Sequence, residues 1–170
     1  MNCYVIQVRT SHEKEIASKC RFLISKEILE DCFIPKYIKR KKIKGQWVDT
    51  KQILFPGYIF LVSNHVDELF VELKKVPDLT KMISKKKETI YPLTDGEVAF
   101  LSSFTDEKHI VGMSCGFIEG DKTIITSGPL KGYEGYIKKI DRHKRVAKIE
   151  LDIFNKTINA TVGLEIISKN

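Results

Sequence analysis

The pattern of apolar and polar positions along the chain opens with an alternating strand over residues 2–9, NCYVIQVR. Thr10, followed three residues later by Glu13, has the form of a capping box, in which each side chain satisfies a free backbone N–H of the first helical turn. That spacing predicts a helix over roughly 11–28, with Ile16, Cys20, Leu23, Ile24 and Ile28 as its apolar stripe. A β-hairpin follows, with KRKKIK on one arm and its turn near Gly45. GYIFLV is apolar throughout and reads as a strand buried on both faces. Val66, Leu69, Phe70 and Leu73 recur at helical spacing. Thr94 and Glu97 repeat the capping box ahead of Val98, Phe100, Leu101 and Phe104, so a third helix is expected to about 105.

Periodicity then weakens, and residues 106–116 read as a linker. Beyond it, turn signals at Glu119–Asp121, Gly128-Pro129, Asp141–Lys144 and Asn155-Lys156 separate short strands. In the strand between the last two turns, Ala147, Ile149, Leu151 and Ile153 alternate with Val146, Lys148, Glu150 and Asp152. Strands this short need closure to enclose a core, so residues 117–170 are expected to form a small SH3-like β-barrel. The fold class is α+β: an α/β domain over 1–105, its antiparallel sheet flanked by helices, then the barrel.

The glycine-rich stretch SGPLKGYEGYIKKIDRHKR raises the question of a phosphate-binding loop. A Walker loop needs four residues between its glycines and then Gly-Lys-Ser/Thr, so that backbone N–H groups curl round the phosphates. Here Gly128, Gly132 and Gly135 are spaced four and three apart, Lys131 precedes Gly132, and a strand follows where a helix is required. The glycines belong to turns between strands.

Composition narrows the function. The 170 residues are 42% hydrophobic and 30% charged, ordinary for a globular protein. The longest apolar run, at 53–62, is broken by Pro56 and Gly57 and is too short to span a bilayer, and the N-terminus has no signal-peptide pattern. A cytoplasmic protein without a membrane association is expected. Cys3, Cys20, Cys32 and Cys115 show no CxxC pairing, so free thiols are expected and no metal site. The histidines at 12, 65, 109 and 143 are dispersed, and no nucleophile motif surrounds a cysteine. Neither an enzyme nor a cofactor is expected. The net charge of +7, densest per residue in the C-terminal part, permits nucleic-acid binding.

Two motifs carry a resemblance. FPGYIFL after a basic hairpin resembles the N-terminal (NGN) domain of NusG-family transcription elongation factors, and GDKTIITSGPLKGYEGYIKKID resembles the KOW motif of their C-terminal barrel. Order, spacing and length agree over nearly the whole chain. Departures are Cys3-Tyr4 for the usual Trp-Tyr, and IFNKTINATVGLEI for the family's glycine- and proline-bearing tail. With the basic DRHKR turn, these make the chain most similar to the specialised LoaP group of antiterminators. The resemblance implies docking on the β′ clamp helices of RNA polymerase through Tyr4, Phe55, Pro56 and Tyr58. The alternative reading of Phe55 and Tyr58 is as ordinary core aromatics in a sheet. As a docking residue, Phe55 is expected to tolerate alanine without loss of folding stability.

The cations divide into two groups. KYIKRKKIK reads either as a solvated hairpin tip or, through Lys39, Arg40, Lys41 and Lys42, as a contact to upstream DNA. In the barrel, Lys131, Lys138, Lys139, Arg142, His143, Lys144, Arg145 and Lys148 are expected to gather and bind a structured RNA hairpin. Arg142 and Arg145 are suited to base edges, while Tyr133 and Tyr136 are either stacking platforms or barrel plugs. The chain is thus expected to act as a monomeric elongation or antitermination factor. The alternatives are a general elongation factor whose barrel binds protein, or an RNA module independent of polymerase.

Overall fold

The computed structural model describes residues 2–77, 79 and 90–169. Its elements run β1 (Asn2–Gln7), α1 (Glu13–Leu23), β2 (Asp31–Phe33), β3 (Lys36–Ile43), β4 (Gln46–Ile53), β5 (Tyr58–Ser63), α2 (Val66–Lys74), β6 (Ile90–Pro92) and α3 (Asp95–Phe104). There follow β7 (Ile110–Val111), β8 (Ser114–Glu119), β9 (Lys122–Ser127), a 3₁₀ turn (Glu134–Tyr136), β10 (Ile137–Asp141), β11 (Val146–Ile153) and β12 (Lys156–Lys169). The architecture is α+β, as the periodicities predict. Two compact units emerge: Met1–Ile34 with Phe55–Val98, and Pro35–Leu54 with Ala99–Asn170.

The first unit holds an antiparallel sheet in the order β2-β5-β1-β6. Tyr4, Ile6 and Val8 share one face with Ile59 and Leu61, and this face packs with Ile16, Ala17 and Cys20 of α1 and Leu69 and Leu73 of α2. On the opposite face Phe60 lies across from Val5, stacks on Phe33 at 5.4 Å and meets Phe55 at 6.0 Å. Strand β5 is therefore apolar on both faces, as its composition predicts.

The two capping boxes have different fates. At α3 the box closes: Glu97 N–H donates to Thr94 Oγ1 at 3.1 Å, and Thr94 N–H donates to Glu97 Oε1 at 3.0 Å. At α1 it does not form. Ser11 sits in the left-handed region at φ 80°, so the helix begins only at Glu13, with His12 at the N-cap making no side-chain cap bond. Glu13 instead turns inward, 1% exposed, and Oε2 accepts the N–H of Gly57 at 3.3 Å. The helix also ends at Leu23, short of Ile28, and leaves Leu23 exposed.

In the second unit β3 and β4 form a hairpin whose two turn residues, Lys44 and Gly45, have φ of 49° and 81°. Positive φ at both central positions is the primed turn that matches strand twist. The barrel sheet runs β10-β11-β12-β8-β9, with β12 and β8 parallel and the other pairs antiparallel. Strand β11 buries Ala147, Ile149, Leu151 and Ile153 as its alternation predicts, and buries Val146 as well, which the alternation put on the outer face. At the β11–β12 turn Phe154 and Asn155 both have positive φ, a conformation that Asn tolerates better than most residues.

Residues 106–116, expected as a linker, contain β7, which pairs in parallel with the start of β3, and the first residues of β8. Strand β12 passes so close to β3 that a Cβ at Gly163 would collide with the Ile38 carbonyl and the Met113 sulfur. Among the four glycines of the KOW-like stretch, only Gly128 is tightly packed, against Met113 and Ser114; Gly120, Gly132 and Gly135 face open space.

Candidate functional site

Sheet register decides where the barrel's cations go. Asp141 pairs with Val146, Val146 with Gly163, Leu164 with Ser114, and Cys115 with Ser127. The β10–β11 turn and the loop that leaves β9 through Gly128 toward Lys131 therefore issue from the same end of the sheet. The 141–145 turn is shaped by Asp141, whose Oδ1 accepts the Lys144 N–H at 2.9 Å. That bond holds its carboxyl below the usual carboxylate range. Lys131, Lys138, Lys139, Arg142, His143, Lys144 and Lys148 are all exposed. Lys139 and Lys148 stand directly opposite each other across β10 and β11. Like charges in that position destabilise a strand pair.

The two arginines of the turn differ. Arg142 has no hydrogen bond or ion pair among the described residues and lines an open cleft of about 330 Å³ with His143, Arg145, Glu165 and Ile166. Arg145 is engaged on two sides. Its guanidinium lies 3.7 Å from the centre of the Trp47 ring, and Nη1 is 3.4 Å from Glu165 Oε1. Glu165 Oε2 also accepts from Arg40 Nη1 at 2.9 Å, while Arg40 Nε donates to Asp49 Oδ1 at 2.9 Å. Trp47 sits opposite Lys42, whose Nζ is 6.0 Å from the ring centre.

Strand geometry splits the hairpin's cations. Side chains alternate faces along a strand, so Arg40 and Lys42 share a face with Trp47 and Asp49, whereas Lys39 and Lys41 lie on the other. Lys41 and Lys42 are exposed; Arg40 is committed to its two carboxylates. Tyr133 and Tyr136 do not plug the barrel. They stack on each other at 5.6 Å, and edges meet Phe100 of α3, with Ser103 Oγ 3.2 Å from the Tyr133 hydroxyl. Tyr136 remains 40% exposed.

The residues expected at a polymerase contact are also divided. Tyr4 belongs to the helix-covered face of the first unit's sheet, while Tyr58 lies on the same face as Phe60, opposite it. Tyr4, Phe55 and Tyr58 are all buried; Pro56 alone of the four is exposed. Gly57 between them is fixed at φ 87° by Glu13 and by the Val8 N–H, which donates to its carbonyl at 2.7 Å.

Residues 1–102 match the family model described as transcription termination factor NusG. The chain belongs to the NusG family. Over 172 residues it is 26% identical to the transcription termination/antitermination protein NusG of Rickettsia felis, covering 98% of this chain and 89% of that one. The NusG of Borreliella burgdorferi is 24% identical, with 98% and 97% covered. A solved structure described as domain interaction in Thermotoga maritima NusG matches the fold with a TM-score of 0.51 at 21% identity, covering 95% and 93% of the two chains.

This NusG-family chain carries three site residues that sequence reasoning missed. Trp47 is the single tryptophan, set among cations, and that was the available signal. Glu165 gave none, since its partners are far away in sequence. Glu13 was misread as half of a capping box. Among the described residues no group of three His, Cys, Asp or Glu side chains is placed to hold a metal, and no helix is long and apolar enough to cross a membrane.

Proposed function

We propose that this chain is a NusG-type elongation and antitermination factor that docks on RNA polymerase with its first 105 residues and grips a structured leader RNA with its barrel. This is the activity of the LoaP-like group its motifs resemble. The observation that carries the RNA reading is the facing pair Lys139 and Lys148 beside the unpaired Arg142 and the exposed His143 and Lys144. A fold does not retain like charges across a strand pair for its own stability; a polyanion resolves the repulsion. Arg142, free in the cleft, is the residue best placed to read a base edge or fork onto a phosphate.

For polymerase docking, Pro56 is the exposed member of the FPGY segment, and the buried Phe55 and Tyr58 support the loop that presents it. For upstream DNA, Lys39, Lys41 and Lys42 remain candidates, with Arg40 held by Asp49 and Glu165.

The test measures the full chain against a leader-RNA hairpin and a scrambled single strand across salt concentrations. Arg142→Ala is expected to cost affinity for the hairpin more than for the scramble. Equal binding of the two RNAs at every salt concentration would make a protein partner the better reading for the barrel. Co-purification of the full chain with core RNA polymerase separates a transcription factor from a free RNA module.

A further inference from the structure

We propose that Trp47 of the hairpin and the cleft at Arg142, His143 and Arg145 form one subsite for a single unpaired RNA nucleotide, the base on the indole and its phosphate in the cleft. The inference rests on the RNA reading above and goes beyond it by adding the hairpin to the surface. Trp47 is 43% exposed although indole is among the costliest side chains to leave in water. Strand register puts it on the hairpin face that also carries Arg40, and Arg40 and Arg145 are both tied to Glu165. The ring is thus held in place rather than left to swing.

The Arg145 guanidinium at 3.7 Å and the Lys42 ammonium at 6.0 Å place positive charge against the ring. Aromatic rings backed by cations are what unstacked bases settle on, because every base has a π-face and is linked to an anionic backbone. The cleft beside it offers Arg142 and His143 without an ion-pair partner among the described residues, while Glu165 neutralises only the arginines it holds. A duplex cannot use such a site, since its bases are already stacked. A loop or single strand can.

Trp47 is the chain's single tryptophan, so its emission reports on this site alone. The full chain is titrated at low salt with oligo(U), a blunt RNA duplex of equal length and oligo(dT), following anisotropy for binding and tryptophan emission for stacking. Oligo(U) is expected to quench Trp47 in step with binding, and the duplex to bind without quenching. Trp47→Ala is expected to weaken oligo(U) binding about tenfold, and Trp47→Phe distinctly less, with duplex binding unchanged in both. A circular-dichroism melt checks that both variants fold.

Oligo(U) binding with unaltered emission, or with unaltered affinity in folded Trp47→Ala, overturns the subsite and leaves the barrel's RNA reading standing. Tighter binding of oligo(dT) than of oligo(U) overturns it in favour of a DNA surface. If neither RNA binds, the RNA reading fails and the subsite with it.

Discussion

Thr10 and Thr94 stand in the same four-residue pattern, yet only Thr94 caps a helix. The difference lies in the backbone and in Glu13: Ser11 at φ 80° delays the helix to Glu13, whose carboxylate turns inward to accept the Gly57 N–H. Thr94→Ala is expected to destabilise by about 1 kcal/mol, and Thr10→Ala by less than about 0.5 kcal/mol, in urea melts of the full chain. Phe55 shows the same dependence on context. Sequence reasoning expects its alanine variant to fold normally, but the side chain is 1% exposed and packs beside Phe60. Phe55→Ala is instead expected to destabilise by about 3–5 kcal/mol, through lost burial plus a cavity. Pro56→Ala, altering an exposed residue, is expected to leave the melt nearly unchanged, so a loss of co-purification with core RNA polymerase in this variant would support the proposed docking apart from folding. Burial also protects the thiols: it pushes Cys20 up to about 11 and Cys32 to about 12. Neither is expected to react with iodoacetamide at pH 8 until the chain is unfolded, as mass spectrometry would show.

Strand pairing turns a run of cations in sequence into two separate faces. In β3 the alternation sends Lys39 and Lys41 one way and Arg40 and Lys42 the other, so the basic hairpin is not one charged patch. Crossing of β12 over β3 depends on a missing Cβ at Gly163, where the obstacle includes a backbone carbonyl that cannot rotate aside. Gly163→Ala is expected to cost about 1–3 kcal/mol by overpacking. It also shifts Arg145 relative to Trp47, so altered tryptophan emission should accompany the loss of stability. On β10 and β11 the opposed lysines predict a trade-off. Lys148→Gln relieves the repulsion with Lys139 and raises stability by a few tenths of a kcal/mol, within the roughly 0.2–1 range for such pairs. The same change is expected to weaken the proposed RNA binding in the salt titration.

Across the whole chain, the excess of positive charge becomes a binding property only where side chains lack acidic partners. Arg40 and Arg145 count toward the net charge of +7, yet their charges are balanced by Asp49 and Glu165. Arg142 and Lys148 are exposed and make no ion pair among the described residues, and Lys144 is exposed beside Asp141. Counterion release on the proposed RNA binding is expected to follow the second group. Removing Lys148 is expected to reduce the slope of log K against log salt by about 1, and removing Arg40 to change it little.

Local physics made much of this protein legible. Period-two alternation in β11, the all-apolar run of β5, the Thr94–Glu97 box and the turn at Gly45 each depend on residues within a few positions, and each is found in the structure. The two motifs that resemble the NusG family lie within single segments as well. What sequence could not supply depends on partners distant along the chain. The Gly57 N–H captures Glu13 from 44 residues away, and Glu165 reaches Arg40 across 125. Packing also closes over Phe55, and β12 needs a glycine where it crosses β3. A hydrogen bond or ring contact between remote segments leaves no periodic trace in either one. Which cations are free and which are spent on internal partners was therefore decided by tertiary structure alone.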